Sequence, residues 1–95
     1  MTPTEIRYNK VDRTLAVTFD DGTRYLLTAE YLRVNSPSAE VRGHGGPMKP
    51  VTGKENVGIS AIEPIGNYAV RLVFDDGHDS GLYSWAVLAA LGRDQ

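Results

Sequence analysis

Phe74-Asp75-Asp76-Gly77-His78-Asp79-Ser80-Gly81-Leu82-Tyr83-Ser84-Trp85 joins an apolar run, Tyr68-Ala69-Val70-Arg71-Leu72-Val73-Phe74, to the single tryptophan and the last helix-like segment. Asp-Gly between alternating apolar segments is a hairpin signal, because glycine enters positive φ without a Cβ clash. The alternation places Tyr68, Val70, Leu72 and Phe74 on one face of a strand. The stretch therefore reads as a strand, a tight turn and a second strand that runs into a helix. Ser84 stands where a helix cap is needed, and Trp85, Leu88, Ala89 and Leu91 give that helix an apolar stripe. Gly92 reads as its C-terminal stop.

The same pattern occurs earlier. Val17-Thr18-Phe19-Asp20-Asp21-Gly22 matches Leu72-Val73-Phe74-Asp75-Asp76-Gly77. Leu15, Val17 and Phe19 alternate before the early turn, and Arg24-Tyr25-Leu26-Leu27 returns after it. Thr28 then caps a single helical turn through Arg33. The echo is either two related halves around one core or convergence on a good turn sequence. Residues 1–4 read as loose, Glu5 to Tyr8 as a short strand, and Asn9 to Arg13 as a polar turn. Val57 to Ile62 reads as a strand, and Glu63-Pro64-Ile65-Gly66-Asn67 as a turn. The stretch at about 42–56 has almost no apolar periodicity and holds Gly43-His44-Gly45-Gly46-Pro47, which predicts a flexible, irregular loop.

At 95 residues the chain reads as one domain, 1–95, with one thin core. The absence of cysteine excludes a disulfide frame, a thiolate metal site and a cysteine nucleophile, and agrees with a cytoplasmic address. The net charge of −2 is small and the basic residues are scattered, so no nucleic-acid groove is expected. No apolar run approaches the ~20 residues of a membrane span, and the N-terminus lacks the pattern of a signal peptide.

Candidate chemistry is sparse. Asp20-Asp21 and Asp75-Asp76, with Asp79, could hold a cation, but an Asp before Gly more simply accepts backbone N–H bonds in its own turn. His44 and His78 are the only imidazoles, against the three or four ligands a metal site needs. The simpler expectation for His78 is a bond within its own turn. Gly53-Lys54 is followed by Glu55, so no P-loop forms. Ser36, Ser38, Ser80 and Ser84 lie in no G-x-S-x-G elbow.

Three segments, Leu32 to Val41, Ile65 to Val70 and Phe74 to Trp85, together with Phe19-Asp20-Asp21-Gly22, resemble the DUF971 family, also called the gamma-butyrobetaine hydroxylase-like N-terminal domain. They cover most of residues 5–91 and are specific only together. The resemblance implies one of three settings. The family occurs as small standalone bacterial proteins, ahead of the catalytic jelly roll of 2-oxoglutarate- and iron(II)-dependent hydroxylases, and joined to Mrp-type P-loop ATPases that carry iron–sulfur clusters. In the hydroxylases the domain is not catalytic and holds a structural zinc through a Cys-x-Cys-x-x-Cys run and the histidine of the DGH turn. Here Ser36, Ser38 and Val41 stand at the cysteine places, and only His78 remains. Serine is a poor zinc ligand and valine is none, so that zinc is expected to be lost.

The expected fold is a small α+β domain of antiparallel β-hairpins with two short helices and one long irregular loop. The expected function is a non-catalytic binding or adaptor module with a protein partner. The resemblance implies iron–sulfur cluster assembly, with a P-loop ATPase as partner, or a metabolic enzyme. The expected binding surface comprises Arg33, Ser36, Ser38, Glu40, His44, Asp76, His78 and Asp79. No cofactor and no metal is expected. The alternative is a zinc or iron protein using His78 and His44 with nearby acids.

Overall fold

Alternating apolar residues make the two central strands. In β2 (Thr14–Phe19) the side chains of Leu15, Val17 and Phe19 are buried, and in β5 (Ala69–Phe74) those of Val70, Leu72 and Phe74 are buried. The computed structural model describes residues 2–37 and 53–95. Among them, β2 lies between β1 (Pro3–Asn9) and β3 (Arg24–Thr28), which leads into α1 (Ala29–Val34). Likewise β5 lies between β4 (Ile59–Ile65) and β6 (Gly81–Ser84), which leads into α2 (Trp85–Asp94). All four strand pairings are antiparallel. The fold is α+β, with two three-stranded sheets and two helices among the described residues. Of the expected loop at about 42–56, residues 42–52 lie outside the described ones, and 53–56 form neither helix nor strand.

The two halves match well beyond the shared turn. Phe19 N donates to Thr23 O at 2.8 Å and Gly22 N to Phe19 O at 3.0 Å; Phe74 N donates to His78 O at 2.9 Å and Gly77 N to Phe74 O at 3.1 Å. Gly22 and Gly77 sit at φ 89° and 94°, the region that glycine enters without a Cβ penalty. Farther out, Asp20 N donates to Thr2 O at 2.8 Å and Asp75 N to Gly58 O at 2.9 Å. Each outer strand also shifts register at the same place, between Pro3 and Glu5 in one sheet and between Ile59 and Ala61 in the other. A turn sequence does not dictate a bulge on the neighbouring strand. The halves are two renderings of one plan.

One core unites them. Leu15, Val17, Phe19, Leu27 and Leu32 from the first half cluster with Val70, Leu72, Phe74, Tyr83 and Leu88 from the second. The helices tie the two halves together. Tyr83 of β6 donates its hydroxyl to Leu32 O in α1, and Tyr31 of α1 donates to Leu91 O in α2 at 2.7 Å. Thr28 and Ser84 cap the helices as their sequence positions predict, accepting from Tyr31 N and Val87 N.

Four local expectations are corrected. β1 begins at Pro3, because its start pairs with Phe19 instead of staying loose. β4 runs through Pro64 to Ile65; it is an edge strand, where proline's missing N–H need not break a ladder bond. Tyr68 precedes β5 and is 58% exposed, so the inward stripe starts at Val70. Gly92 lies inside α2, not at its end. A Cβ there would sit 2.3 Å from the Tyr25 ring, so the glycine serves the close approach of α2 to β3.

Candidate functional site

The halves diverge just after their turns. β3 starts at Arg24, directly after Thr23, whereas His78, Asp79 and Ser80 all precede β6 at Gly81. By register the second hairpin is one residue longer on its return side, since Val17 pairs with Tyr25 whereas its counterpart Leu72 pairs with Gly81, and its His78 side chain meets the chain leaving α1. Ser36 Oγ and His78 Nε2 are 2.9 Å apart. The ring of His78 also lies 6.0 Å from that of Phe74, centre to centre. The expectation of a bond within the turn holds for the His78 backbone only. Its N–H donates to Asp76 Oδ1 at 3.0 Å, while the ring reaches across to Ser36.

α1 delivers the other half of the site. Asn35 ends the helix, its backbone N–H and its amide Nδ2 donating to Tyr31 O at 3.1 Å and 2.9 Å. This stop turns Ser36 inward, where it is 4% exposed and the only buried polar residue among those described. Gly81 faces it: a Cβ at Gly81 would lie 2.6 Å from Ser36 Oγ and 3.0 Å from Tyr83 Cε1. Position 81 thus needs glycine for space. Burial pushes the Tyr83 phenol up to about 12, against the opposing pull of Ser36 and the Arg33 charge.

Charge converges on Asp76. Arg33 Nε donates to its Oδ2 at 2.9 Å, and Lys54 Nζ lies 2.7 Å from the same oxygen. The turn is open to water, but the Asp76 side chain is only 18% exposed, beside Arg33 at 12% and Lys54 at 25%. Burial alone would raise this carboxyl; hydrogen bonds from Lys54, the His78 backbone and Arg33 outweigh it and hold the group far below the usual carboxylate range. Asp21, its counterpart, is lowered by Thr23 alone among side-chain partners, on a fully exposed turn.

Of the residues expected from sequence, Arg33, Ser36, Asp76 and His78 come together. Asp79 is exposed beside them. Ser38, Glu40 and His44 lie outside the described residues. Lys54, Gly81 and Tyr83 were not in the expected surface. Lys54 carries a weak signal, as a cation just after a Gly- and Pro-rich stretch, but Gly53-Lys54-Glu55 completes no phosphate loop. Gly81 carried none, since its need appears only when Ser36 packs against it.

The arrangement favours locking over chemistry. Ser36 and His78 form a hydroxyl–imidazole pair that the sequence did not reveal, but a nucleophile must meet its substrate and this hydroxyl is nearly sealed. Nor do the described residues suit zinc. They offer one imidazole engaged by a hydroxyl, and no group of three His, Cys, Asp or Glu is placed to hold a metal among them.

A family model described as gamma-butyrobetaine hydroxylase-like, N-terminal, matches residues 6–89. The chain is similar to a crystal structure of a protein of unknown function from Acidithiobacillus ferrooxidans that belongs to the DUF971 family. Identity is 40%, with 96% of this chain and 92% of that one covered and a TM-score of 0.83. Two NMR solution structures are also similar. One shares 55% identity at TM-score 0.84, covering 99% of this chain and 70% of its own. The other shares 49% at 0.80, covering 97% and 73%. No curated protein matches the chain. Among the described residues, no helix is long and apolar enough to cross a membrane.

Proposed function

The chain belongs to the gamma-butyrobetaine hydroxylase-like N-terminal family, and we propose that within it this protein is a non-catalytic binding module. Its contact surface is the second DDG turn with the end of α1: Lys54, Asp76, His78 and the exposed Asp79 face outward, and Arg33 and the buried Ser36 hold them from beneath. One observation carries the reading. The two DDG turns share their backbone geometry, yet only the second gathers two cations, a histidine and a buried serine around its carboxylate. A turn does not need these groups to form, as the first one demonstrates.

The partner is a protein. The family's habit of being joined to P-loop ATPases of iron–sulfur assembly makes such an ATPase the first candidate, and a metabolic enzyme the second. The module acts in the cytoplasm, in keeping with its lack of cysteine.

The test compares three proteins for binding to a purified P-loop ATPase of iron–sulfur assembly: wild type, His78→Ala, and Asp21→Asn as a first-turn control. Each is first shown to melt cooperatively. The expected result is binding by wild type and control and its loss with His78→Ala. Equal binding by all three would overturn the role of the second turn. Substrate turnover by the isolated chain would overturn the non-catalytic reading.

A further inference from the structure

The first DDG turn lies outside the contact surface and carries chemistry of its own. Asp-Gly is the aspartyl sequence most prone to ring closure, because no side chain on glycine shields its nitrogen from the aspartate γ-carbon. Both turns hold the same tetrapeptide, Phe-Asp-Asp-Gly, at 19–22 and 74–77. Their intrinsic reactivity is therefore matched, and a difference in rate comes from the fold. In each turn Oδ1 of the second aspartate accepts from the residue after glycine, from Thr23 N at 2.9 Å and from His78 N at 3.0 Å. This folds the carboxyl back over the intervening glycine. The glycine nitrogen donates to Phe19 O at 3.0 Å in one turn and to Phe74 O at 3.1 Å in the other, so that restraint is shared too.

What differs is the freedom of the carboxyl to rotate. Asp21 is exposed, and no lysine or arginine pairs with it among the described residues. Asp76 is gripped by its other oxygen, Oδ2, with Arg33 Nε at 2.9 Å and Lys54 Nζ at 2.7 Å, and its side chain is 18% exposed. Both cations must let go before its γ-carbon can swing to Gly77 N. We propose that Asp21-Gly22 is a site of spontaneous isoaspartate formation, and that Arg33 and Lys54 protect the identical sequence in the second turn. In the reaction Gly22 N bonds to Cγ of Asp21, one carboxyl oxygen leaves as water with the amide proton, and a five-membered succinimide closes. Water then adds at the α-carbonyl and breaks its bond to nitrogen, so the chain runs on through the β-carboxyl. One water leaves and one enters; the mass is unchanged.

The test holds the purified protein at neutral pH and body temperature for several weeks. Isoaspartate is then read at each turn by fragmentation mass spectrometry, and in total by methyl transfer from S-adenosylmethionine with an isoaspartate carboxyl methyltransferase. Isoaspartate is expected at position 21, with about tenfold less at 76, the order expected when charge-assisted bonds must open first. In urea, with both turns unfolded, the two rates should converge. Lys54→Gln, first shown to fold, should speed the reaction at Asp76 and leave that at Asp21 unchanged. Asp21→Glu should abolish the product in the first turn, because a six-membered ring closes far more slowly. Equal accumulation at the two turns of the folded protein would overturn the proposal, as would none at Asp21. A difference that persists in urea would overturn the structural account of it, and a rate at Asp76 indifferent to Lys54→Gln would overturn the protective role of that lysine.

Discussion

The turns at 19–23 and 74–78 are the same object in two settings. Each closes with the same pair of backbone bonds, each places its glycine near φ 90°, and each lets its second aspartate cap the residue after the glycine. The first stops there, and its carboxylate is fully exposed. The second has an extra residue before its return strand and sits against the end of α1, so Asp76 also holds Arg33 and Lys54. Local chemistry sets the shape of a turn, and the neighbours decide whether that shape does anything more.

The sharpest way to break this comparison is to empty the core beside each turn. Phe19 and Phe74 are both 1% exposed and belong to one cluster. Phe19→Ala and Phe74→Ala should each destabilise the protein by about 3–5 kcal/mol, the usual range for a buried aromatic ring. Urea unfolding followed by Trp85 fluorescence and by circular dichroism should show coincident transitions in both variants. Separate transitions would mean that the halves fold as two units.

Removing charge sharpens it. Asp76→Asn should cost about 2 kcal/mol, since hydrogen bonds to a charged, largely buried group are strong. Asp21→Asn should change stability far less, because water surrounds its carboxylate. The pH dependence follows the same line. The folded pKa of Asp76 lies below its unfolded value, so its contribution is complete above the ordinary carboxylate range. It is lost as pH falls below the unfolded value of 3.8 towards the folded one. Acid titration of stability should be steeper in wild type than in Asp76→Asn, and parallel curves would show that the ion pairs do not hold in solution.

The smallest effect tests sameness. Gly22→Ala and Gly77→Ala meet no atom within 4 Å, so their cost is the backbone's alone. Each should lose about 1–2 kcal/mol, the penalty of a left-handed L-residue. A markedly larger loss at Gly77 would show that turn to be strained by its extra contacts.

Much of this was legible in the chain because it is local. Alternation marked β2 and β5, Asp-Gly marked both turns, and Thr28 and Ser84 marked the helix starts. What failed depends on distant partners. Gly92 reads as a stop signal until Tyr25 is found packed against it, and Pro64 reads as a breaker until β4 proves to be an edge. Tyr68 keeps the alternation but falls outside the strand and stays exposed. In the site, Arg33, Ser36, Asp76 and His78 were singled out through resemblance, since nothing local joins residues 36 and 78. Lys54 belongs to no local motif, and its ion pair with Asp76 exists only in three dimensions.

The ties that each helix makes to the other half have a consequence for how this protein could be divided. Tyr83, in the second half, holds α1 of the first, and α2 of the second presses Gly92 onto Tyr25 of the first. Each half is below the size at which a chain usually sustains a core by itself. Severed between residues 37 and 53, the pieces are expected to be unstructured apart and to reassemble when mixed, each supplying the clasp the other lacks. The molecule is thus laid out as a ready-made split pair.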